Sequence, residues 1–210
     1  MELKKVALVI ADISGYTQFI QDNKTSLLHA EEIISQLLET VIEGAKYPLV
    51  LNKLEGDAIL MYAELGNDEV EAARDVARQV QAFFAVFRAK AHELATSRAG
   101  CPCQACQRIL ELRLKAILHQ GTVAFKKIRQ FEEIAGEDVI VAHRLLKNSV
   151  PASEYILMTE VFFQLTGDLP HNQAEARREF CKGLGDIAVR VFYPAAERPG
   201  RSVQTAPLPA

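Results

Sequence analysis

The segment KKVALVIADISGYTQF, residues 4–19, decides the fold because its two halves predict different structures. Residues 4–11 form a nearly continuous apolar run rich in Val, Leu and Ile, which is typical of a strand buried on both faces. A polar turn through Asp12 and Gly15 follows and leads into the start of a helix. We therefore predict a central strand that ends at a carboxylate and a tight turn.

The segments that follow this strand alternate between helical and extended patterns. Apolar residues at helical spacing predict a helix over residues 26–44 and a long helix over residues 67–97. Between them, residues 46–64 predict two strands joined by a tight turn at Glu55-Gly56. The other predicted elements are strands at 109–118 and 122–128 with a turn at His119-Gln120-Gly121 between them, a helix from Gly136 to Pro151, a strand at 155–158, a short helix near 161–165 and a strand at 187–193.

This order of elements predicts a split βαβ plan in which long connections cover one face of a sheet. The expected fold class is an α+β sandwich of the ferredoxin-like type, with a central, mainly antiparallel sheet and helices packed on it. We expect one domain over residues 1–193. Residues 194–210 contain four prolines together with Gly, Ser and Thr, so they are predicted to form a flexible tail.

The composition is that of an ordinary globular domain. The chain has 210 residues, of which 49% are apolar and 24% charged, and its formal net charge is −3. This balance favours neither nucleic acid nor an anionic membrane as a partner. No apolar run approaches the roughly 20 residues needed to cross a bilayer, so a cytoplasmic protein is expected.

Two carboxylates are the first candidates for chemistry. Asp12 ends the first strand, and Asp57 lies in the hairpin segment LEGDAIL, so each sits at the tip of an apolar strand. An unpaired carboxylate is costly there unless it binds something. If the first strand lies beside the hairpin, the pair forms a hard-cation site suited to Mg²⁺ or Mn²⁺ with a triphosphate. Two solvated turn acids are an equally good interpretation of the pattern alone.

Three cysteines form a second candidate site. Cys101, Cys103 and Cys106 have C-x-C-x-x-C spacing within a predicted insertion at about residues 99–107. Three thiolates this close suit one Zn²⁺ ion in tetrahedral geometry, or an iron–sulfur cluster completed by a further ligand. A loop of free thiols is the alternative.

The fourth ligand of such a site is not evident from the sequence. Its candidates are His92, Cys181 or a residue of a partner chain. His29 lies within a predicted helix and is assigned no role. His119 is interpreted as a turn cap and His143 as a surface histidine.

Five segments resemble, in family order, the motifs of class III adenylyl and guanylyl cyclases, over roughly residues 4 to 193. VIADISGYTQF is similar to the Asp-Ile-x-Gly-Phe-Thr signature, and LNKLEGDAILMYAE is similar to the Lys-x-x-Gly-Asp hairpin. HQGTVAFKK resembles the strand pair that follows the long helix in this family. GEDVIVAHRLL resembles the Gly-x-x-Val-Asn-x-Ala-x-Arg helix. KGLGDIAVRVFY resembles the Lys-Gly-x-Gly hairpin. The chain resembles most closely the small, stand-alone bacterial cyclase-like proteins of unassigned function.

The resemblance implies a role for each matching residue. Asp12 and Asp57 would hold two metal ions, with the backbone carbonyl of Ile13 as a further ligand. Backbone N–H groups would hold the phosphates. The residues that the resemblance implies for this role are Ser14, Gly15, Tyr16 and Thr17.

The resemblance also implies which residues read the base and stabilise charge. Lys53 occupies the position that selects adenine, and Glu133 the position of the second base-reading residue. Arg144 matches the arginine that stabilises the transition state, and Lys182 is the nearest lysine to the family's phosphate-binding position. That position is Leu184 here, and Ile140 stands where the family has its catalytic asparagine.

The implied reaction is attack of the ribose 3′-oxygen of a nucleoside triphosphate, with ATP expected, on the α-phosphate, which expels pyrophosphate. The family builds its active sites between two chains, so a homodimer is expected. Because Ile140 and Leu184 replace polar groups, a second hypothesis stands beside it. In that hypothesis the same fold binds nucleotide or a protein partner without turnover, and carries a metal or redox site at its cysteines.

Overall fold

The computed structural model describes residues 1–166 and 174–194. Its centre is an eight-stranded sheet. The strands are Glu2–Ser14 (β1), Val50–Glu55 (β2), Ala58–Glu64 (β3), Arg113–Ile128 (β4), Phe131–Ala135 (β5), Tyr155–Thr159 (β6), Glu175–Cys181 (β7) and Gly185–Phe192 (β8). Their order is β2-β3-β1-β4-β6-β8-β7, and β5 pairs with β4 beyond the end of β6.

Helices connect these strands. They are Tyr16–Asp22 (α1), Leu27–Gly44 (α2), Glu69–Ser97 (α3), Gln104–Gln107 (α4), Glu137–Leu145 (α5) and Glu160–Thr166 (α6), with short 3₁₀ turns at Lys24–Ser26 and Ile109–Glu111. The expected α+β sandwich with a mainly antiparallel sheet is confirmed, because β4 and β6 form the one parallel pair among the described strands. No helix in the described part of the chain combines the length and apolarity that a membrane span needs.

Strand β1 is buried on both faces, as its apolar run predicts. Ala7 and Val9 point into the core formed with α2, α3 and α6, whereas Leu8 and Ile10 point into a second core under α5. All four side chains are fully buried. Helices therefore cover both faces of the sheet, and not one face as the order of elements suggested.

The predicted turn at His119-Gln120-Gly121 is wrong. These residues lie inside β4, which pairs with β1 from Arg113 to Phe125 without interruption. Polar residues are tolerated here because His119 is buried and bonded on both ring nitrogens, to Thr159 at 2.9 Å and to Asp138 at 3.0 Å. Burial lowers the pKa of His119 and outweighs the opposing charge of Asp138. It is a structural histidine within the sheet and not a turn cap.

Strands β5 and β7 had no counterpart among the predicted elements. Their sequences, FEEIA and EARREFC, are rich in charge, and both strands pair on one side only. Polar residues are common on such edge strands because they discourage pairing between molecules. Of the predicted tail at 194–210, all but Pro194 lies outside the described residues.

One close contact fixes the beginning of α5 against the sheet. The Asp138 carboxylate accepts a hydrogen bond from the Thr122 backbone N–H at 2.6 Å while it also bonds His119. A Cβ atom at Gly121 would lie 2.0 Å from Asp138 Cγ, so only glycine lets the carboxylate approach. The contact sets where α5 begins and hence where its exposed face lies.

Replacing Gly121 with Ala should therefore destabilise the protein. The added methyl overlaps Asp138, and overpacking of this kind costs about 1–3 kcal/mol of unfolding free energy. Gly100→Ala is the matched control, because no atom lies within 4 Å of its added Cβ. Chemical denaturation of both variants measures the difference, and equal stabilities would contradict the proposed role of this contact.

Candidate functional site

The two predicted carboxylates lie side by side at one edge of the sheet. Asp12 is near the end of β1, and Asp57 occupies the turn between β2 and β3, where its carbonyl accepts a hydrogen bond from the Ile13 N–H at 3.2 Å. Burial, together with the charge of Asp12 and a hydrogen bond to it, raises the pKa of Asp57 to about 6. The charge of Asp12 disfavours the ionisation of Asp57, so a cation binds favourably beside the two carboxylates.

A lysine that the sequence analysis did not single out lies next to this pair of carboxylates. Lys115 on β4 is the cross-strand partner of Asp12, and its Nζ lies 2.8 Å from Asp12 Oδ2. The Lys115 and Asp12 side chains are only 19% and 14% exposed, so this ion pair is shielded from water. An internal ammonium thus already neutralises one of the two candidate metal ligands.

The predicted phosphate-binding turn, residues 14–17, follows directly. Gly15 has φ of 92°, a left-handed conformation that lets the chain reverse between β1 and α1. The Tyr16 hydroxyl lies 3.4 Å from the Glu31 carboxylate on α2. Burial and the nearby charges of Glu31 and Asp57 raise the pKa of Tyr16.

The two predicted base-reading residues also meet, although 80 positions separate them. Lys53 Nζ on β2 lies 3.3 Å from the Glu133 carboxylate on β5 and 3.2 Å from that of Glu55. Burial lowers the pKa of Lys53, but hydrogen bonds to Glu55 and Glu133 outweigh burial and raise it. The lysine is therefore held cationic and in a fixed position.

Glu55 extends this network to α5. Its carboxylate lies 2.7 Å from His143 Nε2, and His143 Nδ1 lies 2.7 Å from the Val139 carbonyl. Both partners are acceptors, so the ring satisfies both only when each nitrogen carries a hydrogen. His143, interpreted from sequence as a surface histidine, is a half-buried part of the network.

Arg144 lies on the exposed face of α5 next to His143. An open groove runs along this face, and Ile140 in it is 52% exposed. The groove is lined by Val139, Ile140, His143, Arg144 and Lys147. Cationic side chains thus surround the apolar residue that stands at the asparagine position of the cyclase motif.

The turn between β7 and β8 approaches the same helix. Burial and the charge of Glu179 raise the pKa of Cys181, at the end of β7, whereas the charge of Arg144 lowers it. Lys182 in the turn is exposed, whereas Leu184 packs against the core under α5. Lys182 is the cation that this turn presents.

The three cysteines converge, and their companion is His29 on α2. His29 Nδ1 lies 3.4 Å from Cys103 Sγ, 3.6 Å from Cys101 Sγ and 3.7 Å from Cys106 Sγ. The four ligand atoms lie within 4.8 Å of one another and could hold a metal ion. We call these four residues the thiol–imidazole cluster.

Both intrachain candidates for the fourth ligand were wrong. Cys181 is buried in the core under α5, on the other face of the sheet from Cys106. His92 is exposed on α3 and is not part of the cluster. Nothing in the sequence indicated that His29 is a ligand, because 72 to 77 residues separate it from the cysteines.

Comparison with known proteins places the fold. The guanylyl cyclase Cya2 superposes with a TM-score of 0.69 at 12% identity, covering 91% of this chain and 92% of that one. The adenylyl cyclase CyaB from P. aeruginosa gives 0.67 at 18% identity, covering 90% and 94%. The chain thus has the fold of class III nucleotide cyclase catalytic domains.

Sequence comparison places the family. The uncharacterized protein Rv2561/Rv2562 of Mycobacterium tuberculosis (strain ATCC 25618 / H37Rv) is 36% identical over 155 residues, which cover 74% of this chain and 70% of the relative. The profile of the family described as "Protein of unknown function (DUF2652)" matches residues 34–155. The chain therefore belongs to the DUF2652 family, here with the fold of a class III cyclase domain.

Proposed function

We propose that this chain binds a nucleoside triphosphate with divalent metal ions and, as a homodimer, converts it to a cyclic nucleotide and pyrophosphate. The observation that carries the proposal is the contact between Asp12 and Asp57 at one sheet edge, on a cyclase fold. ATP is the proposed substrate because Lys53 occupies the adenine-selecting position of the cyclase motif.

The donor atoms at this edge fit Mg²⁺ or Mn²⁺. Both ions prefer oxygen ligands, and Asp12, Asp57 and the Ile13 carbonyl supply oxygen only. Bound there, the ions would neutralise phosphate charge and favour the ionised 3′-oxygen. The backbone of residues 14–17 would hold the phosphates next to them.

The chain's own side chains would supply the remaining chemistry. The 3′-oxygen forms a bond to the α-phosphorus, the bond from that phosphorus to the β-phosphate oxygen breaks, and the hydroxyl proton passes to solvent. Arg144 and Lys182 would stabilise the charge that develops on the phosphates. The Lys53–Glu133 pair would bind the edge of the base. In a head-to-tail dimer these residues would face the carboxylates of the partner chain.

A binding module without turnover is the second candidate function. It is favoured by Ile140, which is 52% exposed where the cyclase motif has an asparagine. An apolar side chain cannot hydrogen-bond the ribose, and loss of one such polar group costs on the order of 10²–10³ in rate.

An incubation of the purified protein with each nucleoside triphosphate and Mn²⁺, followed by mass spectrometry, separates these functions. We expect a cyclic monophosphate whose formation falls by a factor on the order of 10²–10³ in Arg144→Ala, with nucleotide affinity nearly unchanged. Nucleotide binding without product would support the binding module, and neither binding nor product would overturn both. Light scattering should report a dimer.

Removing one metal ligand should weaken the metal-dependent part of nucleotide binding. In Asp57→Asn, calorimetry should show Mn²⁺–ATP affinity weakened by more than about tenfold, the lower bound for loss of an outer partner of a metal. Asp75→Asn on α3 is the matched control and should bind as the wild type does. Unchanged affinity in the Asp57 variant would remove the metal site from the proposal.

The stability of the protein without added Mg²⁺ or Mn²⁺ should reveal the raised pKa of Asp57. Because this pKa lies at about 6 in the folded chain and near 3.8 when unfolded, the folded state binds the proton more tightly. The stabilisation from this tighter proton binding is complete below a pH of about 3.8 and is lost as the pH rises through about 6. Asp57→Asn should therefore gain stability over wild type between pH ~4 and pH ~7, by about 1 kcal/mol after discounting for solvent screening.

Urea unfolding of the two proteins across this pH range measures the effect. The same difference in unfolding free energy at every pH would show that the Asp57 carboxyl is not perturbed.

A further inference from the structure

We propose that His29, Cys101, Cys103 and Cys106 bind one Zn²⁺ ion, which fastens the beginning of α2 to the segment between α3 and β4. This site is separate from the carboxylate pair, and its occupation does not depend on nucleotide binding.

The spacing of the ligand atoms is that of a tetrahedral ion. Zinc–sulfur and zinc–nitrogen bonds of about 2.3 Å and 2.0–2.1 Å place sulfurs about 3.8 Å apart and nitrogen about 3.6 Å from each sulfur. Here the Sγ atoms of Cys101 and Cys103 are 3.5 Å apart, and His29 Nδ1 is 3.4 to 3.7 Å from all three sulfurs. These four separations match the edges of a ligand tetrahedron about one zinc ion.

The compactness of the cluster favours one ion over an iron–sulfur cluster. An iron–sulfur cluster is held by thiolates bound to different iron atoms, which spreads the ligands apart. All four ligand atoms here lie within 4.8 Å of one another. Three thiolates and one imidazole are a common structural zinc set, which needs no open coordination position.

Groups around the cluster are arranged to support thiolates. The backbone N–H of Cys106 points at Cys103 Sγ from 3.4 Å. Arg98 contacts the Cys106 thiol and is itself held by Glu32 at 2.7 Å. Since three thiolates and one Zn²⁺ carry a net charge of −1, a guanidinium in contact with the Cys106 thiol favours the occupied site. Outer groups of this kind orient ligands and tune affinity.

The segment that carries the cysteines contributes only a short helix to the fold. Helix α4 is only four residues long, and in it Ala105 and Cys106 are the buried residues. An isolated turn of this length is not stable by itself. A metal ion bonded across to α2 would add to the stabilisation that Ala105, Cys106 and Ile109 supply by packing in the core, since metal binding and local folding share one free energy.

The position of the cluster connects it to the turn at residues 14–17. Arg108, directly after α4, forms an ion pair with Asp22 at 2.5 Å, at the end of α1. Helix α1 begins at Tyr16, immediately after Gly15. The zinc ion and this ion pair together would hold α1 and α2 against the cysteine segment, so loss of zinc should loosen α1.

Metal analysis of the full-length wild-type protein, purified without chelators after growth with zinc, tests the site. We expect about one zinc per chain. His29→Ala and Cys103→Ser should lose most of it, whereas the matched controls His92→Ala and Cys181→Ser should keep it. Folded wild-type protein without metal would overturn the proposal, as would zinc retained in His29→Ala, or iron with sulfide in place of zinc.

A measurement on the wild-type protein covers the case in which the variants do not fold. Exchange of the bound ion for Co²⁺ should give the strong visible absorption of a tetrahedral site with thiolate ligands, and one equivalent should saturate it. Weak absorption typical of octahedral Co²⁺ would contradict the assigned geometry.

Hydrogen exchange tests the connection to α1. After the zinc is removed, amides of residues 16–28 and 98–108 should exchange faster, whereas those of the central strand β6 should not change. If amides of residues 16–28 keep their protection while those of residues 98–108 lose it, the ion stabilises only the cysteine segment and the proposed connection to α1 is wrong. None of these readouts requires nucleotide binding, so they stand or fall separately from cyclase activity.

Discussion

Everything in this structure depends on β1, a strand buried on both faces that nevertheless ends in a carboxylate. Its side chains alternate between two cores, so helices must cover both sides of the sheet and its neighbours β3 and β4 must be aligned with it. That alignment leaves Asp12 opposite Ala58 on one side and Lys115 on the other. The candidate site is thus a product of strand register, and a shift by one residue would turn Asp12 into the opposite core.

Much of this fold could be read from periodicity. The apolar run of β1 and the helical spacing of α2 and α3 depend on local sequence, and those elements formed where they were expected. The failures had non-local causes. His119 and Gly121 look like a turn in sequence, but Thr159 and Asp138, contributed by later elements, make an extended conformation favourable there.

The same distinction separates the site residues that could be predicted from those that could not. Asp12, Asp57 and Lys53 lie within recognisable motifs and Glu133 lies three residues before one, and the structure brings these four residues together in pairs. Lys115 and His29 belong to no motif, and Glu55 fills a variable position of the Lys-x-x-Gly-Asp hairpin. Each acquires its position from a contact with a segment distant in sequence, which only the folded chain supplies.

The ion pair between Lys115 and Asp12 has a consequence for when the carboxylate edge is filled. The proposed divalent ion would compete for the Asp12 carboxylate with an ammonium group that lies 2.8 Å from it, so the chain carries its own competitor for this ligand. By mass action, such a competitor lowers the apparent affinity in proportion to the fraction of time that it occupies Asp12. The proposed metal would therefore bind this edge less tightly than it would bind the same two carboxylates without Lys115.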